Sequence, residues 1–303
     1  MENSPAVQYG LPAVLAFIMI GMGMSLRPVD FRRVVVYPKA ALVGLFGQLI
    51  FLPAVGFLIV YLYPLRPEMA VGIMVLAACP GGTTSNLITH MARGNVALSV
   101  TLTAISGTVT VFSIPYLVNL ALAVFMPAAD PEQQVQLPVL ETIGTLVLIV
   151  LVPTIIGMLI RRRAPDFADR QEKYVRIASG AFLVILIVGL IIKERAILVD
   201  AFIDSGPAGL ILNLAALIAG YSMARLARLD DRQVTSIMIE VGIQNGTLGI
   251  LIGTSILNMP DVAIPPAIYS LIMYMTGGFI VYWRHGLHSA AEAEEAERAE
   301  AAL

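Results

Sequence analysis

Glu240 lies inside the apolar run Thr235-Ser-Ile-Met-Ile-Glu-Val-Gly-Ile-Gln-Asn-Gly-Thr247, and no other carboxylate of the chain sits so deep in such a run. A charge at the centre of a bilayer-spanning helix costs roughly 2.5–3.5 kcal/mol on insertion scales, so it is normally kept by a partner, a cation or a watery cavity. Gly242, Gln244, Asn245 and Gly246 follow at once. They interrupt the helix beside the charge and bring amide oxygens to it. A carboxylate, broken backbone and amides together suggest a cation site.

Further oxygen donors stand in other apolar segments: Gln48, then Thr83, Thr84, Ser85 and Asn86, then Ser99 and Thr103. Ser99 and Thr103 are four residues apart, which puts both hydroxyls on one helix face. Hydroxyls, amide oxygens and a single carboxylate suit a hard monovalent cation such as sodium, whereas a tight divalent site needs more carboxylates. The sequence offers no His/Cys cluster for a transition metal. The only cysteine, Cys79, reads as a small buried hydrophobe, and His90 as an interfacial residue. Taken singly, a Ser or Thr in an apolar helix commonly bonds its own backbone, and Gln48 also suits a helix–helix contact. For Glu240 the structural alternative is a partner on a neighbouring helix, yet no basic residue lies at comparable depth. It is the joint occurrence on two interrupted segments that argues for a site.

The elements that must hold these residues are membrane helices. Of 303 residues 58% are hydrophobic and 13% charged, and the mean hydropathy is +0.83, outside the range of soluble domains. The sequence predicts an all-α polytopic membrane protein. Windows of roughly 20 apolar residues fall at about 7–26, 40–63, 69–92, 96–125, 137–160, 175–192, 205–226, 234–257 and 262–283, nine in all. Basic residues near span ends stay on the cytoplasmic side. With nine spans, sixteen Lys and Arg fall on one side and only Arg66, Lys193 and Arg195 on the other. This places the N-terminus outside and the C-terminus in the cytoplasm, in a multi-pass protein of the inner (plasma) membrane. The start Met-Glu-Asn-Ser-Pro lacks the basic region of a cleaved signal peptide. Residues 290–303, rich in Ala and Glu, read as a solvated, helix-prone cytoplasmic tail after a transporter-type domain over 1–289. The net charge of −2 averages two oppositely biased faces and says nothing of partners.

Two spans are interrupted at mid-depth. Pro80-Gly81-Gly82 breaks the third and Gly242 to Gly246 the eighth. Unwound backbone inside a bilayer survives only where protein or a water-filled cavity satisfies it. The two spans are five apart, so with alternating direction they cross in opposite senses. This predicts an inverted repeat of four plus five spans, the first repeat lacking its opening helix. Paired broken helices near the midplane are a recurrent design in secondary transporters, where half-helix N-termini face anions and unwound carbonyls hold cations.

Cys79-Pro-Gly-Gly-Thr-Thr-Ser-Asn86, Ala92-Arg-Gly-Asn-Val-Ala-Leu-Ser99 and Glu240-Val-Gly-Ile-Gln-Asn245 resemble signatures of the bile acid/sodium symporter family. The likeness runs from about Ile18-Met-Ile-Gly-Met-Gly-Met-Ser25 to the last span. It implies a nine-helix form with two crossing discontinuous helices, spans 3 and 8. It also implies a core domain, taken as about 40–125 and 175–257, and a panel domain, taken as about 7–26, 137–160 and 262–283.

Carried over by motif, the resemblance implies two sodium sites. The first uses Ser85, Asn86, Ser99, Thr103 and Glu240; the second uses Gln48, Glu240 and Gln244 with the carbonyls of Val241 and Ile243. An organic anion, such as a bile acid or a smaller carboxylate, would anchor at Gly82 and Thr83 with Asn245 opposite, where free N–H groups of a helix start favour an anion. The last span, Ile272-Met-Tyr-Met-Thr276, lacks the His-Asn pair of some bacterial relatives, which leaves the anion open. The expected function is sodium-coupled symport by alternating access, without enzymatic activity or an obligate protein or nucleic-acid partner. Proton-coupled or uncoupled carriage is the alternative within transport, and a non-transporting anion receptor the alternative outside it.

Overall fold

The computed structural model describes residues 5–128, 134–193 and 198–301, and among these every regular element is a helix. Arg195 and the last two residues of the tail lie outside the described residues. In chain order the helices are α1 Pro5–Ser25, α2 Pro28–Val36, α3 Pro38–Phe46, α4 Leu52–Leu62, α5 Pro67–Ala78, α6 Thr83–Met91 and α7 Val96–Phe125. They continue with α8 Val139–Leu146, α9 Val152–Arg163, α10 Pro165–Lys193, α11 Leu198–Leu226, α12 Asp231–Gly242, α13 Gly246–Leu251 and α14 Ile264–Ala301.

Five stretches among the described residues are long and apolar enough to cross a membrane: Pro38–Leu62, Val96–Phe125, Val139–Arg163, Phe202–Leu226 and Pro260–Arg284. The chain is a multi-pass membrane protein. Large apolar side chains such as Leu42, Ile50, Leu58, Leu148, Ile218 and Met275 are exposed on its outside, as a lipid-facing surface requires. The first predicted span ends in a 60° bend between α1 and α2. There Pro28 begins a new helix, and Asp30 accepts from the Arg27 backbone N–H at 2.6 Å, satisfying a donor at the start of α2.

Two long spans are not plain α-helices. Gly47–Phe51 and Val147–Leu151 are π-turns, and each is followed by a proline, Pro53 or Pro153. Proline has no N–H and its ring crowds the carbonyl four residues back, so the ladder slips by one residue ahead of it. Gln48 sits on the first of these turns and is buried.

The two segments expected to be interrupted are so, each for a local reason. α5 stops because Pro80 forces Cys79 into extended geometry (φ −70°, ψ 153°), and α6 restarts from Gly82. α12 stops as Ile243 turns extended (φ −108°, ψ 104°), and α13 restarts from Asn245, whose side chain caps it by accepting from Leu248 N–H. Every residue from Met69 to Ala78 and from Val234 to Gly242 is buried. Over these residues both half-helices are enclosed by protein, which is what lets a membrane-embedded segment carry a break.

Packing forms two groups. α1 lies against α9 and α10, while α14 lies against α5, α11 and α13, and α12 against α11, α7 and α6. The α1–α9 contact is backbone-close: a Cβ at Gly23 would meet the Thr154 carbonyl oxygen at 2.0 Å, and one at Gly157 the Ile20 carbonyl oxygen at 2.1 Å.

Candidate functional site

The two breaks meet. Gly81 and Gln244 form an isolated antiparallel bridge, and the Asn245 N–H donates to the Pro80 carbonyl at 2.9 Å. The unwound segments thus satisfy part of each other's backbone, which neither could do alone inside a bilayer.

Glu240, completely buried, points at this crossing. Its carboxylate is held entirely by hydroxyls: Ser85 and Ser99 donate to Oε2 at 2.8 and 2.9 Å, and Thr103 to Oε1 at 2.5 Å. No ion pair among the described residues includes it. Asn86 closes the cluster, its Oδ1 lying 2.8 Å from the Ser99 hydroxyl and 3.3 Å from that of Thr103 as an alternative acceptor for their single protons. All five residues of the predicted first sodium set are therefore in one place. Ser99 and Thr103 come from one face of α7, Ser85 and Asn86 from α6, and Glu240 from α12. Gly81 completes the fit, because a Cβ there would stand 2.2 Å from Glu240 Oε1.

The second predicted set forms a neighbouring chain of amides. Gln48 Nε2 donates to Gln244 Oε1 at 2.8 Å and to the Cys79 carbonyl at 2.9 Å. Gln244 Nε2 donates to the Val241 carbonyl at 2.7 Å. Ile243 stands at the break itself, between Val241 and Gln244. Both glutamines are buried.

On the other side of the crossing is a small open cavity of about 30 Å³. Gly82, Thr83 and Asn245, the predicted anion anchors, all line it, so the N-termini of α6 and α13 open onto it together. Thr84, Gln244, Gly246 and Thr247 line it as well, and sequence reading did not name the walls added by other helices: Ile18 and Met19 from α1, Leu183 from α10, and Met273 and Tyr274 from α14. Tyr274 shares a side-chain hydrogen bond with Thr84. A polar residue within the apolar run 272–276 was the available signal. Thr89, buried and donating to Ser99 Oγ at 3.3 Å, was also missed. Its approach to α7 depends on the tight turn at Arg93 (φ 56°), which hydropathy does not register.

A polytopic helical protein with two broken helices crossing beside a buried carboxylate and an open polar cavity has the architecture of a secondary transporter. The comparisons agree with that class. The chain belongs to the sodium bile acid symporter family, whose profile matches residues 12–201. It is 31% identical over 280 residues to the "Probable sodium/metabolite cotransporter BASS1, chloroplastic" of Arabidopsis thaliana, covering 89% of this chain and 65% of the relative. It is 28% identical over 270 residues to the "Uncharacterized sodium-dependent transporter YocS" of Bacillus subtilis (strain 168), covering 89% and 81%. With the human "Ileal sodium/bile acid cotransporter" it shares 29% identity over 240 residues, covering 78% and 67%. The chain thus spans a little under two thirds of the length of the plant relatives. The family and these relatives are transporters, not enzymes.

Proposed function

We propose that this chain is a sodium-coupled secondary transporter of a small organic monoanion. The observation that carries the reading is Glu240: a fully buried carboxylate among hydroxyl and amide oxygens only. Those oxygens are the hard neutral ligands that a monovalent cation takes, and a bound cation would supply the charge that no side chain supplies. In this reading Ser85, Asn86, Ser99, Thr103 and Glu240 hold one sodium ion. Gln48, Glu240 and Gln244, with the carbonyls of Val241 and Ile243, hold a second.

The anion is assigned to the neighbouring cavity. None of its lining residues is basic, so attraction there falls to the two half-helix N-termini, each equivalent to roughly +0.5 of a charge. Their sum matches one negative charge better than two. The cavity is small, about 30 Å³, well below the roughly 300–1,000 Å³ of ligand pockets. A compact carboxylate therefore fits the reading better than a steroid.

Nine spans in an inverted repeat, with the N-terminus outside and the C-terminus cytoplasmic, remain our reading of the topology. For the moving parts we group α1, α9 and α10 as the panel and α3 to α7 with α11 to α14 as the core. Packing supports moving 262–283 from panel to core and 175–192 from core to panel. The cavity then lies where the groups meet, so sliding of one against the other would expose it alternately.

The test is a screen of small carboxylates for thermal stabilisation with sodium chloride against choline chloride, followed by flux in proteoliposomes. Sodium-dependent stabilisation and accumulation driven by a sodium gradient are expected. Uptake driven by a pH gradient in choline would point to proton coupling instead, and binding without flux to a receptor.

A further inference from the structure

The two interrupted helices end in matched ways. The Cys79 carbonyl, just past α5, accepts from Gln48 Nε2 at 2.9 Å; the Gly242 carbonyl, at the end of α12, accepts from Asn213 Nδ2 at 2.9 Å. Gly81 and Gln244 are the bridged pair, and Gly82 and Asn245 are the N-caps of the helices that follow. The same number of residues separates the members of all three pairs, Cys79 and Gly242 included. In both halves the amide comes from the span that precedes the broken one: Gln48 from between α3 and α4, Asn213 from α11.

The two grips differ in what else they touch. Gln48 is tied to Gln244, a proposed sodium ligand. Asn213 Nδ2 is tied instead to the Tyr269 hydroxyl at 3.2 Å, and that hydroxyl donates to the same Gly242 carbonyl at 2.9 Å. Asn213 and Tyr269 are completely buried. The other amide atom, Asn213 Oδ1, is buried with no hydrogen-bond partner. A group left so is a burden on the fold that an apolar side chain would avoid. What the amide provides in return is its hold on Gly242.

That carbonyl is flanked in sequence by those of Val241 and Ile243. The peptide plane between residues 242 and 243 is rigid, so two donors on the Gly242 oxygen limit the rotation of its neighbours as well. We propose that Asn213 and Tyr269 are positioning residues for the ion site. They fix the Gly242 carbonyl and thereby aim the Val241 and Ile243 carbonyls at the second sodium ion, without touching it. This rests on the sodium reading above.

The test uses the purified full chain in detergent, with thermal unfolding followed as sodium chloride replaces choline chloride at constant ionic strength. Tyr269→Phe removes one donor and Asn213→Ala the other, so each variant keeps one grip if its partner variant folds poorly. Each should raise the half-saturating sodium concentration by about three- to tenfold, the effect of one hydrogen bond, whatever its unfolding temperature in choline. A lowered unfolding temperature with the wild-type sodium midpoint is what a purely structural role gives, and overturns the proposal alone. A wild-type protein indifferent to sodium overturns the sodium reading and this proposal with it.

Discussion

Gly81→Ala is the sharpest perturbation the site allows. The added Cβ would lie 2.2 Å from Glu240 Oε1 and 2.9 Å from its Cδ. Ordinary contact distances are well above 3 Å, so the carboxylate must retreat by about 1 Å or more. The backbone cannot give way freely, because the Gly81–Gln244 bridge and the bond from Asn245 to the Pro80 carbonyl hold the crossing together. Retreat takes Oε1 from Thr103, now at 2.5 Å, out of hydrogen-bond range. A hydrogen bond to a charged group contributes about 1.5–3 kcal/mol, which corresponds to a loss of about 10- to 150-fold in sodium affinity. Gly82→Ala is the matched control: its Cβ would meet nothing closer than Thr84 Oγ1 at 3.5 Å, so sodium binding should survive while the anion cavity changes shape. Sodium titrations of thermal stability, paired with uptake, read both effects. A normal sodium midpoint in Gly81→Ala, or an equal loss in both variants, would refute the placement of Glu240 as the ion ligand.

Glu240→Gln keeps the shape but removes the charge, and Gln244→Ala removes the amide beside it; both should abolish sodium-stimulated uptake in folded protein, and uptake with unchanged sodium dependence would sink the assignment. Asn245→Ala should cost about 1 kcal/mol as the lost cap of α13 and weaken anion-dependent stabilisation beyond that; a thermal shift series with the best carboxylate separates the two. Gly157→Val should destabilise the α1–α9 contact by about 1–3 kcal/mol or more, since its Cβ would meet backbone at 2.1 Å. Gly144→Ala, inside α8 with nothing within 4 Å of its Cβ, should unfold in detergent at or slightly above the wild-type temperature, since alanine is the better helix former.

Much of the site was legible because its chemistry is local and its cost is high. A carboxylate at Glu240, the Pro80-Gly81-Gly82 break and the i, i+4 hydroxyls of Ser99 and Thr103 are anomalies in an apolar background, and each has few explanations. The π-turn under Gln48 was not read, although Pro53 in mid-span was its signal. Asn213 and Tyr269 gave no distinct signal, since each is one of several polar residues scattered along an apolar helix, α11 or α14, and resembles an ordinary helix–helix contact.

Composition and helix breaks alone determined that the chain lives in a membrane, that it is helical, and that two segments must be unwound near a charge. Those conclusions follow from solvation, which acts on each segment separately. Only the tertiary structure decided that the two breaks cross at Gly81 and Gln244, that hydroxyls from α6 and α7 reach Glu240 on α12, and that α1, α10 and α14 wall the cavity. Those are contacts between distant segments, set by which helix faces pack together, and hydropathy carries no record of that choice.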